Sequence, residues 1–218
     1  MKVLFIGNSY TFFNNLPGAV AAMAASVGRE VSFDTALVGG KDLQWHWEEG
    51  EGPQKIARGR FDVVVLQDHS LGALQAREKM FEHARKFDAA IKERGAQTVF
   101  FMTWARRHAP EAQAQIAEAY LTIAHELGAR VAPVGTVWRS ALQQRPGLVL
   151  HVEDGSHPNQ KGSYLAACAF FATLLDASPV GLPAIVHADG QTVMELEQSE
   201  ADFLQRIAWD CVKGASQR

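Results

Sequence analysis

Ser9 is separated by two residues from the apolar run Val3 to Ile6 and stands just ahead of a segment with helical spacing. A hydroxyl at such a junction would project from the carboxyl edge of a sheet, beside helix N–H groups that no carbonyl satisfies and that could hold an oxyanion. Serine attacks a carbonyl only when a base removes its proton and a further group orients that base. The chain offers both near its other end, in Asp154-Gly155-Ser156-His157-Pro158. An acid three residues ahead of a histidine, across a glycine-containing turn, can fold its carboxylate back onto the imidazole N–H. Each motif also has a plainer reading, since Ser and Asn commonly cap helices and Asp-Gly commonly makes a turn.

Taken together, GNSYT near the start and DGSHPNQKG near the end resemble the first and last blocks of the SGNH, or GDSL-like, hydrolases. Asn8 stands where that family's Gly-Asp-Ser has its aspartate, which is similar to the Gly-Asn-Ser branch, while Asp-x-x-His-Pro is matched in full. The resemblance implies an α/β fold: a flavodoxin-like, three-layer α/β/α sandwich around a five-stranded parallel sheet. It also implies a serine esterase. Carried over by position, Ser9 becomes nucleophile and, through its backbone N–H, oxyanion donor; His157 becomes general base and Asp154 the residue that orients it. Gly39 or Gly40 would match the second-block glycine, another oxyanion donor, with Gly40 preferred because it directly precedes the helix-like Lys41 to Trp47. The family's third block, Gly-x-Asn-Asp, has no copy here. The corresponding strand end reads Val65-Leu66-Gln67-Asp68-His69-Ser70, and the expectation is that Gln67 supplies the missing side-chain N–H from its longer stem. Gly39, Asp68 and Trp104 are expected to line the substrate site.

These residues need a frame that brings them together. Short β-branched or aromatic runs recur at Val3 to Ile6, Val31 to Leu37, Phe61 to Leu66, Thr98 to Met102 and Arg130 to Pro133, each a plausible buried strand. Between them, Leu16 to Val27, Gln75 to Arg94 and Pro110 to Leu127 carry apolar residues at three- and four-residue spacing. That alternation predicts a parallel sheet covered by helices, whose ligands bind outside the carboxyl ends of the strands. Gly28, Gly95 and Gly128 fall where left-handed C-terminal caps are expected. Ser9, Gly39-Gly40, Gln67-Asp68 and Trp104 all follow predicted strands. A helix is predicted from about Asn159 to Leu175. Ser178 to Gln191 reads as Pro/Gly-punctuated chain, and Glu195 to Val212 as a final amphipathic helix packed on the sheet.

The 218 residues, 47% hydrophobic, suit one domain spanning 1–218. A net charge of −3 with no Lys/Arg cluster leaves no electrostatic footprint for nucleic acid. No stretch approaches the ~20 apolar residues needed to cross a bilayer, so no membrane partner is expected. The opening MKVLFIGNSY has too short an apolar run for a signal peptide, so the expected location is cytoplasmic, with Cys168 and Cys211 as free thiols. The histidines and carboxylates form no metal-ligand spacing, so no metal or cofactor is implied. His46 and His151 receive no role, His69 is expected to line the pocket or stand just behind it, and Arg106-Arg107 reads as a solvated basic loop. The partner expected is a small-molecule ester with a short acyl group, such as an acetylated carbohydrate. The competing expectation is a non-catalytic flavodoxin-like module that binds a sugar or nucleotide. The first turn, however, lacks the glycines of a dinucleotide site.

Overall fold

A computed structural model describes residues 1–216. Five strands, β1 (Lys2–Gly7), β2 (Ser32–Leu37), β3 (Val63–Leu66), β4 (Gln97–Phe101) and β5 (Arg130–Ala132), form one sheet in the order β2-β1-β3-β4-β5. Every pairing in it is parallel. The side-chain period of two explains the layers. Val3, Phe5, Val63, Val65, Val99 and Phe101 enter one apolar cluster. Their strand neighbours Leu4, Ile6, Val64, Leu66 and Phe100 enter a second, on the opposite face. Strands buried on both faces need helices on both, which makes a three-layer α/β/α sandwich.

The helices, in chain order, are α1 (Ser9–Phe12), α2 (Leu16–Ser26), α3 (Leu43–Glu48), α4 (Gly52–Arg58), α5 (Gly72–Gln75), α6 (Arg77–Glu93), α7 (Gln113–Leu127), α8 (Val134–Gln144), α9 (Gln160–Leu175) and α10 (Gln198–Ser216). Gly28, Gly95 and Gly128 all adopt positive φ at their expected caps. Residues of α2, α8, α9 and α10 fill the first cluster, while α3, α4, α6 and α7 cover the other face.

Two expectations need correction. The segment read as Pro/Gly-punctuated chain contains an antiparallel hairpin, β6 (Ile185–Ala188) with β7 (Gln191–Glu195). The last helix does not lie on the sheet but packs chiefly on α9 and α8. The cause is α9 itself, which is buried continuously from Gly162 to Leu174. A helix apolar all round needs cover on every side, and α10 supplies the outer one. Both cysteines are unpaired. Among the described residues, no helix is long and apolar enough to cross a membrane.

The strand order matters for the site. From β1 the chain passes to β2 on one side and returns to β3 on the other, so the loops after β1 and β3 diverge around a crevice at the carboxyl edge. Ser9, the first residue of α1, and Gln67 follow those two strands.

Candidate active site

Asn8 follows β1 and caps α1, its Oδ1 accepting the Tyr10 N–H at 3.2 Å. The turn therefore delivers Ser9 at the first helical position with its hydroxyl free to face the far end of the chain. There the Asp154 side chain organises its own turn. Its Oδ1 accepts the backbone N–H groups of Ser156 and His157 at 2.8 and 2.9 Å, and its Oδ2 accepts from His157 Nδ1 at 2.5 Å. The Asx turn and the acid–imidazole pair, alternatives in the sequence, are two uses of one carboxylate. The turn requires φ of +67° at Gly155, a conformation side-chain-bearing residues avoid. The Val152 N–H donates to the His157 carbonyl at 2.9 Å and closes it.

His157 Nε2 lies 2.8 Å from Ser9 Oγ, across 148 residues of sequence. The hydrogen bond from His157, reinforced by the two backbone donors, holds Asp154 down at a pKa of about 2. An ionised carboxylate at Nδ1 requires the proton there, which leaves the Nε2 lone pair as acceptor for the Ser9 hydroxyl. Hydroxyl, imidazole and carboxylate thus form one continuous hydrogen-bonded chain. It can move a proton off Ser9 and stabilise the imidazolium that results.

Aromatic rings hold this chain in place. Phe13 stacks flat on the imidazole at 4.5 Å, and Tyr10 meets it edge-on at 5.7 Å. Burial pushes the Tyr10 phenol up, so it stays neutral, and its hydroxyl lies 2.7 Å from Ser156 Oγ. Asn14 and Asn15 both adopt positive φ, which asparagine tolerates better than most residues. Asn14 Nδ2 donates to Ser163 Oγ at 2.8 Å, tying the Phe13 turn to α9. Sequence reasoning assigned no role to Tyr10, Phe13 or Asn14. Adjacency to Ser9 and the paired asparagines were the signals available.

The glycine loop is fixed to the same turn, because Asn8 Nδ2 donates to the Lys41 carbonyl at 2.9 Å. The Lys41 N–H donates to Val38, closing a four-residue turn with Gly40 at its third position and φ of +70°. Among the described residues, the N–H groups of Ser9 and Gly40 donate to no protein acceptor. Gly39 is exposed beside the Phe12 ring.

No family model and no curated protein matches the sequence. Solved structures do. A protein from Slackia heliotrinireducens, provisionally classed as an SGNH hydrolase, shares 27% identity over 80% of this chain and 98% of its own, with a TM-score of 0.65. The chain belongs to the SGNH hydrolase superfamily. Two further likenesses concern this SGNH fold alone. A DUF4886 family protein from Bacteroides uniformis is 18% identical over 98% of this chain and 95% of its own, at a TM-score of 0.77. An acetyl xylan esterase is 15% identical over 79% of this chain and 98% of its own, at 0.66.

Within this SGNH scaffold, three expected roles must be revised. Gln67 is fully buried, its Oε1 accepting from the Asn8 N–H at 2.8 Å and the Thr11 hydroxyl at 2.9 Å, while Nε2 donates to the Asp68 carbonyl. Its amide is committed to the underside of the Ser9 turn and is not presented to an incoming ester. Asp68 is not a pocket residue either. It is 2% exposed and accepts the Leu43 N–H at 2.8 Å, anchoring α3, and burial raises it to about 6. Trp104, only 1% exposed, is sandwiched between Tyr10 at 4.4 Å and Trp138 at 4.2 Å, and no face remains for a ligand. Its indole N–H donates to the Ser156 carbonyl at 2.9 Å, so it supports the His157 turn from behind.

The other histidines are engaged elsewhere. His46 Nε2 bonds the Gly7 carbonyl at 2.8 Å and His151 Nε2 the Ala105 carbonyl at 3.2 Å. His69 Nδ1 accepts the Leu71 N–H at 3.3 Å, and burial, with Arg106 nearby, lowers its pKa.

Two expected results follow from these revisions. Gln67→Ala would leave the buried Asn8 N–H without its acceptor and open a hole beneath the turn. A loss of about 3 kcal/mol, roughly 6–12 °C in Tm, is expected for a chain of this size. A side-chain oxyanion donor would instead lower turnover with Tm unchanged, so calorimetry beside kinetics separates the roles. For Asp68 the folded state keeps its proton to about pH 6, whereas the unfolded chain releases it near ~3.9. The unfolded state therefore binds fewer protons between these values, and stability falls as pH rises through that window. Urea unfolding of wild type against Asp68→Asn should show wild type losing about 2–3 kcal/mol relative to the variant between pH ~4 and ~7. A flat difference would contradict the buried, protonated carboxyl.

Proposed function

We propose that the protein hydrolyses short-chain esters through an acyl-enzyme on Ser9. The observation that carries this reading is the unbroken chain from Ser9 Oγ through His157 to the ionised Asp154. His157 Nε2 takes the hydroxyl proton as Oγ attacks the ester carbonyl, then delivers it to the leaving alkoxide. Water, deprotonated by the same nitrogen, releases the acid and restores the serine. The Ser9 and Gly40 N–H groups receive the oxyanion, and the Asn8 to Lys41 hydrogen bond keeps their loops in register. Gln67 acts as a positioning residue for the nucleophile turn.

The surroundings favour a small acyl group on a polar alcohol. Phe12 and Phe13 give the acyl side a short apolar wall beside His157. Beyond Gly40 lies a depression of about 390 Å³ lined by Lys41, Asp42, Gln44, Trp45 and Glu48. Polar groups around an indole suit a sugar ring, in line with the acetyl xylan esterase that shares the fold. A series of p-nitrophenyl esters tests the acyl side. Acetate should exceed octanoate by at least about tenfold in kcat/KM, and preference for octanoate would contradict it.

A further inference from the structure

A cavity of about 690 Å³ lies away from Ser9. It lies on the other side of the Tyr10, Trp104 and Trp138 stack, between the loop after β4 and the segment that follows α8. Trp138, Leu142, Leu148 and Leu150 give it an apolar floor, and Arg106, Arg107 and Arg139 stand around it with Glu111 as the one carboxylate. Three cations against one anion is an unbalanced lining for a space this apolar.

Among the described residues, none of these three guanidiniums forms a salt bridge; those made by arginines belong to Arg77 and Arg85. Arg107 donates to the Glu153 carbonyl at 3.0 Å and Arg106 to Ser70 Oγ at 3.1 Å, both neutral acceptors. Among the described residues, Arg106 Nε and the indole Nε1–H of Trp138 have no partner, and both atoms lie beneath the cavity surface. The far benzo edge of that indole abuts Gly162, so its N–H belongs to another edge of the ring. A guanidinium offers its fork to a carboxylate or similar planar anion, and the volume matches a compact organic molecule.

We infer that this cavity binds an organic anion with a compact apolar body, its acid group meeting Arg106 and Arg139 and its body packing on Leu142, Leu148 and Val149. The inference stands apart from the hydrolase reading, since it needs no chemistry at Ser9.

The test uses 2-naphthoate as probe and the intact protein labelled with ¹⁵N. The Trp138 indole N–H signal, identified by its loss in Trp138→Phe, should shift saturably on titration. Arg139 is exposed on α8, so Arg139→Gln should fold normally and weaken binding by about tenfold or more. The neutral isostere 2-naphthylmethanol should bind the wild type more weakly by a similar factor. Absence of a saturable shift at millimolar probe, affinity unchanged in Arg139→Gln, or equal affinity for the neutral isostere would each overturn the inference.

Discussion

Replacing Ser9 with alanine should reduce turnover of p-nitrophenyl acetate by roughly 10⁴-fold or more, the cost seen when a nucleophile is removed from a cooperating triad. The stability of the variant should stay within about 0.5 kcal/mol of wild type. The side-chain hydrogen bond of Ser9 goes to His157, and the Asn8 cap and Gln67 that shape the turn act through other atoms. A large rate loss with an unchanged melting curve is therefore the signature of lost chemistry. Retention of more than about a tenth of the rate would place the nucleophile elsewhere.

The second large effect is expected at His157, and its value lies in comparison with the other histidines. His157→Ala should lose on the order of 10⁴-fold in kcat, since among the described residues no other imidazole is bonded to Ser9. His69→Ala should stay within about tenfold of wild type, because that ring bonds the Leu71 N–H and burial holds it neutral. His151→Ala should lose stability before activity, since its ring packs on Trp138 and bonds the Ala105 carbonyl. An inactive His69→Ala beside an active His157→Ala would move the base to the loop after β3. The pH dependence should carry no ionisation from Asp154 in the neutral range, because its carboxyl is held down at about 2.

The fold was largely legible because its central strands announce themselves. Val3 to Ile6 and Val63 to Leu66 are apolar on both faces, which only a sheet covered twice can bury. The hairpin Ile185–Glu195 was not, since several of its side chains remain exposed and Pro183, Gly181 and Gly190 read as punctuation. At the site, residue types carried the information: a serine needs a base, and the base an acid, which singled out Ser9, His157 and Asp154, and the fold brings these three within hydrogen-bond reach of one another. Gln67, Asp68 and Trp104 were misread for a common reason. Sequence gives a side chain's chemistry and its strand-end address but not its direction, and all three turn into the protein. Gln67 offers the right kind of N–H, yet the Asn8 N–H beside it demands an acceptor and so fixes the amide inward.

The central claim is that Ser9 is the activated nucleophile of an ester hydrolase, and covalent capture tests it most directly. Incubating the native protein with a fluorophosphonate probe and mapping the adduct by mass spectrometry should place the label on Ser9 alone. Labelling should vanish in Ser9→Ala and slow strongly in His157→Ala, since an unactivated serine reacts poorly with such reagents. No label on the folded wild-type protein, or a label on another residue, would contradict the account.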